Sequence, residues 1–188
     1  MINYDYIHKS IDFYERCGFK RVESPWTVTG AISNITKPIF AKDFSIKEKD
    51  KVLVASGEQS FLYLFLKGFL PPGSYQTVTP CFRDESFDEW HSKYFIKNEL
   101  IKTDEVDQKN LTLVLETARK FFESIIEDKV DVIKTGDCSY DLSYKNVELG
   151  SYGIRKCSFL VWIYGTGVAE PRLSSVVKLK EQWKNILI

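Results

Sequence analysis

Between positions 130 and 164 four short runs follow one another with little more than turn residues between them: VDVIK, SYDLSY, VELGSYGI and SFLVWIY. Gly136-Asp137 and Lys145-Asn146 are turn formers, since Gly and Asn tolerate the positive φ of tight reversals. A parallel neighbour needs a crossover of about a dozen residues or more, and these connections are too short for one. The runs must pair antiparallel. Upstream, YQTVTPCF (75–82) and KYFIKNELI (93–101) alternate as two half-buried strands joined by a charged tip. The chain is thereby committed to a mostly antiparallel sheet.

Helical spacing surrounds these strands. Tyr4, Ile7, Ile11, Tyr14 and Cys17 recur on one face, and Gly18 is a natural stop. A helix is predicted over about 58–67 with Gly68 as its C-terminal stop. The strongest helix is predicted over 104–128, with Val106, Leu111, Val114, Leu115, Ala118, Phe121, Phe122, Ile125 and Ile126 as its apolar positions. A last helix follows GTGVAEPR, with Pro171 in its first turn. FKRVES (19–24) reads as a strand, 26–51 as loop-rich, and KVLVAS (51–56) as a short strand. There is no repeat and no linker, so residues 1–188 form a single α+β domain, a mostly antiparallel β-sheet flanked by helices. A composition that is 44% hydrophobic and 14% aromatic supports a real core.

Lys and Arg number 26 against 26 Asp and Glu, which excludes a bulk basic field for nucleic acid. Cys17, Cys81, Cys138 and Cys157 show no CxxC spacing, so buried free thiols are expected rather than a zinc site. The most apolar run, SFLYLFLKGFL, is too short to span a bilayer and is interrupted by Lys67. With no apolar signal core at the N-terminus, a soluble cytoplasmic protein without membrane contact is expected. Neither GxxxxGK[ST] nor a GxGxxG after a strand occurs, which disfavours the ordinary nucleotide folds.

The hairpin from Thr79 to Leu100 reads Phe82-Arg83-Asp84-Glu85, a short tip, His91-Ser-Lys-Tyr-Phe95, then Glu99. This resembles motif 2 of class II aminoacyl-tRNA synthetases: a strand ending in FRxE, a loop, then a strand starting near HxxxF and carrying a glutamate. The flanks look most like the seryl, pyrrolysyl and phenylalanyl branches. GFKRVESP after the first helix resembles motif 1, the dimerisation element (5–25). YGTGVAEPR before the last helix resembles motif 3 (164–180). VELGS resembles the strand that offers an acid and a serine to magnesium, and ASGEQS lies where the family keeps its amino-acid-binding loop.

The resemblance implies a stand-alone catalytic core that binds ATP with magnesium and activates an amino acid as its adenylate. It implies Arg83 on the α-phosphate and Arg172 on the γ-phosphate as the catalytic cations. Phe95 would stack on adenine beneath Arg172. Glu85 would accept from the adenine amine and His91 would flank the terminal phosphates. Glu148 and Ser151 would hold magnesium, and Glu58 and Glu99 would meet the substrate ammonium. The chemistry suits these residue types, because attack of one anion on another is catalysed by positioning and cationic clamps. Strand alternation puts Glu148 and Ser151 on one face only if a bulge intervenes, and Gly150 makes one plausible. Trp162 and Cys157 are candidate walls of the side-chain pocket. Taken singly, each residue has an ordinary reading: a surface ion pair for Arg83, core packing for Phe95, a turn-flanking acid for Glu148. Their ordered conjunction carries the assignment.

Ala169 stands where motif 3 has its third glycine, and no anticodon-binding domain or coiled-coil arm is seen. The tip carries Asp84, Glu85, Asp88 and Glu89, which would repel an acceptor stem. Lys42, Lys47, Lys49 and Lys51, and Lys178, Lys180 and Lys184, form the remaining basic stretches. A homodimer is expected, with tRNA bound weakly unless a partner helps. The acceptor of the acyl group is left open between tRNA, protein and small molecule. The alternative is a catalytically silent synthetase paralogue that binds protein or RNA.

Overall fold

Hairpin after hairpin builds the sheet, as the short connections require. The computed structural model describes residues 1–39, 41–47, 50–84 and 93–186, with side chains described as far as residue 182. In chain order the elements are α1 (Tyr4–Arg16), β1 (Lys20–Arg21), β2 (Thr27–Thr29), α2 (Gly30–Thr36), β3 (Lys51–Leu53), α3 (Gly57–Leu66), β4 (Ser74–Phe82), β5 (Tyr94–Lys102), α4 (Gln108–Ile126), β6 (Asp131–Gly136), β7 (Ser139–Tyr144), β8 (Val147–Lys156), β9 (Val161–Glu170) and α5 (Arg172–Ile186). Among the described residues one sheet has seven strands in the order β1-β4-β5-β9-β8-β7-β6, and β2 pairs with β3 apart from it. Every pairing is antiparallel except β1 with β4. The α+β architecture read from the sequence is the one observed. No helix among the described residues is long and apolar enough to cross a membrane.

The two faces of the sheet have different cover. On one face α1, α4 and α5 bury a continuous core that includes Tyr14, Leu100, Leu111, Phe121, Phe122, Tyr152, Ile163 and Val168. On the other, α2, α3 and the β2–β3 pair cover a smaller cluster around Phe61, Leu62, Tyr75, Ile101 and Trp162. Among the described residues the rest of that second face has no helix over it, and this is where the candidate site lies.

Pro80 lies inside β4 at no cost to the ladder. Phe82 N donates away from β5 to Val54 O (2.9 Å), and Gln76 O accepts from Val22 N (3.0 Å). Residues of even number in β4 therefore turn their backbone groups outward, and Pro80 shares that parity.

Three register shifts interrupt the sheet among the described residues, and the two in β9 and β8 reset strand phase beneath the site. Asn98 pairs with Val168 but Glu99 with Thr166, leaving Gly167 as an extra residue of β9. Likewise Leu142 pairs with Gly150 but Ser143 with Glu148, leaving Leu149 extra in β8. At the first bulge, Tyr14 Oη donates to the Gly167 carbonyl (3.0 Å), and Tyr152 Oη donates to the Thr166 carbonyl (2.5 Å).

Several sequence expectations are corrected in detail. GTGVAE, expected only to lead into the last helix, is strand. A Cβ at Gly165 would lie 2.8 Å from the Tyr152 ring and one at Gly167 2.9 Å from the Tyr14 ring, so these glycines serve ring packing. The strand expected over 19–24 shrinks to Lys20–Arg21, and the loop-rich stretch contains β2 and α2. The long helix starts at Gln108 because Asp107 caps it, accepting from Asn110 N at 2.7 Å. Lys180 is no part of a basic patch: it is buried, and its ammonium caps α4 through the Ile126 carbonyl and the Glu127 carbonyl (3.2 Å). Lys49 lies outside the described residues, as does the side chain of Lys184.

Tyr14→Phe removes the donor and leaves a buried carbonyl without its bond. The expected loss is about 1–3 kcal/mol of unfolding free energy in urea titration. An unchanged midpoint would show that the bulge carbonyl does not depend on Tyr14.

Candidate active site

The register lays out the floor of the uncovered face. Along β5, Phe95, Lys97 and Glu99 point the same way, about 7 Å apart at successive alternate positions. The Gly167 bulge rephases β9, so that Tyr164, Thr166 and Ala169 all turn toward the same side. The bulge in β8 does this for Glu148 and Ser151, and Ser151 Oγ lies 3.4 Å from Glu148 Oε1. The sequence anticipated this bulge, and the extra residue is Leu149 beside Gly150. A Cβ on Gly150 would lie 2.5 Å from Thr166 Cβ, so only glycine lets β8 and β9 approach here.

A cleft of about 330 Å³ opens over this floor. Arg83, Phe95, Glu148, Ser151, Arg172, Glu58 and Glu99 all line it. Glu85 and His91 lie outside the described residues. The structure also brings in Ser56, Lys97, Arg155 and Tyr164, which the sequence reading did not select. Trp162 and Cys157 are not among the lining residues; Trp162 is 1% exposed and sits behind Glu58.

At the mouth, the Arg83 guanidinium lies over the Phe95 ring, 5.1 Å from its centroid, and Nε donates to the Ala55 carbonyl at 3.1 Å. Arg172 is the first residue of α5 and donates to Glu148 Oε1 at 3.1 Å. The second Glu148 oxygen carries no bond to any described residue. The adjoining end of α5 is capped by the chain's own Glu170, which accepts from Ser174 N (3.1 Å) and Ser174 Oγ (2.6 Å). The helix dipole at the start of α5 is thus met first by an internal carboxylate.

At the floor, two buried acids have their oxygens engaged by the protein. Glu99 accepts from Lys97 Nζ (2.9 Å) and Ser56 Oγ (2.6 Å). Glu58 accepts from Arg155 (2.5 Å) and Trp162 Nε1 (2.6 Å). Burial holds the Glu58 carboxyl above the ordinary carboxylate range, with Arg155 pulling it partly back. Gly57 allows this geometry, because a Cβ there would lie 3.0 Å from the Glu99 Cβ. Ser56 caps α3, accepting from Glu58 N at 3.2 Å while donating to Glu99, so one hydroxyl ties the helix start to the cleft. Cys81 is buried beside this floor, and burial pushes its thiol up to about 11, which leaves no thiolate nucleophile near neutral pH.

No family model matches this sequence, and no curated protein matches it. Solved structures do. The seryl-tRNA synthetase of Pyrococcus horikoshii, complexed with ATP, superposes with a TM-score of 0.72 at 17% identity, covering 91% of this chain and 48% of that one. PylSc, a pyrrolysyl-tRNA synthetase of Desulfitobacterium hafniense, gives 0.75 at 18% identity over 93% of this chain and 66% of that one. The cytoplasmic serine-tRNA ligase of Naegleria fowleri, in complex with AMP, gives 0.69 at 15% identity over 92% and 48%. The chain thus spans between about half and two thirds of the length of these proteins. At such identities the likeness is one of fold, and that fold is the class II aminoacyl-tRNA synthetase catalytic core.

The raised Glu58 carboxyl gives a pH prediction. The folded chain holds this proton more tightly than the unfolded chain, whose ordinary value is 4.5. Its contribution to stability is therefore full below pH 4.5 and is lost as pH rises through the folded value. Glu58→Gln has no proton to lose there. In urea titrations from pH 4.5 upward the variant should decline less steeply than wild type, by at most about 1.4 kcal/mol per pH unit. Parallel curves would contradict the assignment.

Proposed function

We propose that this chain binds ATP with magnesium and activates a carboxylic acid as its adenylate, an amino acid in the form the family resemblance implies. The observation that carries this reading is the convergence of Arg83, Phe95, Arg172 and the bulge-aligned Glu148–Ser151 pair on one cleft of a class II core.

The reaction joins a substrate carboxylate oxygen to the α-phosphorus of ATP and releases pyrophosphate. No protein nucleophile takes part. Arg83 would grip α-phosphate oxygens as negative charge builds on them, and a planar fork does this better than a point charge. Phe95 offers an aromatic face to the adenine, and Arg172 reaches the outer phosphates from the start of α5. Glu148 and Ser151 present hard oxygen ligands, which fits magnesium, and the ion when bound offsets phosphate charge. Removing one such cationic donor costs about 3 kcal/mol or more at the transition state.

The acceptor of the acyl group is tRNA, protein or a small molecule. A homodimer through the segment 5–25 is part of this proposal, as is weak tRNA binding without a partner. One observation favours the silent-paralogue reading instead: Ala169, 8% exposed in the cleft wall, stands where motif 3 keeps glycine.

Millimolar Mg-ATP should raise the melting temperature of wild type, as any ligand selective for the native state does. Arg83→Ala and Arg172→Ala should lose most of the shift while keeping the far-UV circular dichroism spectrum. Pyrophosphate exchange into ATP, run against the amino acids singly, then reads activation. A wild type that shows no shift hands the question to the silent paralogue.

A further inference from the structure

We propose that Arg155 reads a second acceptor group on the acid activated in this cleft, so that the substrate is an acid carrying a further carboxylate or carboxamide. The proposal rests on the reading above and names the substrate class for the same site.

Arg155 extends β8 four residues beyond Ser151 on the same face, about 13 Å along the strand. It therefore marks the end of the cleft away from Arg172 and Glu148. Its guanidinium is held in a fixed orientation. One nitrogen donates to Glu58 Oε2, and its plane lies over the Tyr164 ring at 4.0 Å. Glu58 is in turn anchored by Trp162 Nε1, from a ring that is itself buried. Gly153 makes room for this stack, because a Cβ there would lie 2.8 Å from the Tyr164 ring. Glu58 and the Tyr164 ring hold Arg155 from the protein side, yet its side chain remains 40% exposed. Among the described residues its remaining N–H groups have no acceptor, and they border the cleft.

The neighbouring groups point the same way. Lys97 also lines the cleft, with one bond to Glu99 and donor capacity to spare. Both acids at this end already have each oxygen bonded. Each acid oxygen thus has a donor, whereas Arg155 and Lys97 keep N–H groups with no acceptor among the described residues; the groups wholly without a partner are donors, and a donor needs an acceptor in the ligand. A carboxylate meets a guanidinium edge with two oxygens; a carboxamide meets it with one. An apolar chain placed here would leave those N–H groups desolvated and unpaired, which a site built to bond does not tolerate.

The test is thermal shift in the presence of Mg-ATP, with aspartate, asparagine, glutamate, glutamine, succinate and glutarate set against alanine and leucine. At least one of the first six should stabilise the protein at millimolar concentration, and alanine and leucine should not. Comparing aspartate with asparagine, and glutamate with glutamine, separates carboxylate from carboxamide. The two plain diacids show whether an amino group is needed. Arg155→Leu should weaken the preferred ligand by roughly tenfold or more while leaving the Mg-ATP shift intact. If that variant fails to fold, Glu58→Gln/Arg155→Leu removes both members of the ion pair together, leaves no uncompensated buried carboxylate and carries the test. Equal stabilisation by alanine or leucine, unchanged ligand affinity in the variant, or no response to any of the six overturns the proposal. Absence of the Mg-ATP shift overturns the nucleotide reading instead; a ligand response without nucleotide would leave this inference standing.

Discussion

The hydrogen bond from Tyr14 to the Gly167 carbonyl joins the two parts of the molecule that most need to be in register. Side chains along a strand alternate with a period of two, so one extra residue turns every later side chain to the opposite face. At Gly167 that reversal turns Ala169 to the same side as Thr166, opposite Lys97. A bulge leaves backbone groups without ladder partners, and in a core this is costly. Tyr14 supplies the missing donor from α1, 153 residues away in sequence. Burial holds its phenol well above the usual range, so it stays a donor at any ordinary pH. The N-terminal helix, the central strand and the cleft floor are in this way one mechanical unit.

Charges on that floor are positioned before any ligand arrives. A buried carboxylate loses its hydration and keeps its charge only where donors replace the water. Glu99 has Lys97 and Ser56, and Glu58 has Arg155 and Trp162. Removing one member of such a pair typically costs about 3–5 kcal/mol, because the other is left buried and uncompensated. The Arg155 end is partly open to solvent, which softens its share of that figure. What the arrangement secures is orientation: guanidinium and ammonium edges are fixed relative to β5 and β8, and electrostatic catalysis and recognition both require fixed donors.

Much of this was legible in the sequence wherever a local rule governs it. Turn residues between short runs announced the β6–β9 hairpins, and the apolar stripe of α4 announced its core face. Motif-like order picked out Arg83, Phe95, Glu148, Ser151 and Arg172, all of which border one cleft. Other features depend on contacts between distant residues and leave no local trace. The partners of Glu58 are 97 and 104 residues away. Gly165 and Gly167 are each there because a tyrosine ring from another element needs the space, which the sequence around them does not show. Lys180 looked like surface charge, and only the packing of α5 on α4 makes it a helix cap. Nothing in the composition of 26–51 distinguishes a loop from the short helix α2, whose start is set by a Thr29 cap.

The ion pairs of the cleft differ in how readily they yield, and the difference follows its geometry. At the mouth, Arg172 and Glu148 are 20% and 49% exposed, so their bond is a solvated one worth about 1 kcal/mol or less. Arg172 can leave Glu148 at little cost, which is what the proposed nucleotide and magnesium site would require of the pair. At the floor, Glu58 and Glu99 are 4% and 1% exposed, and neither can lose its partner without leaving a charge in the protein interior. A ligand there must bond to what the pairs leave over rather than break them. Exchangeable charge at one end and fixed charge at the other are what a site needs if it must release pyrophosphate yet hold the activated acid in one orientation.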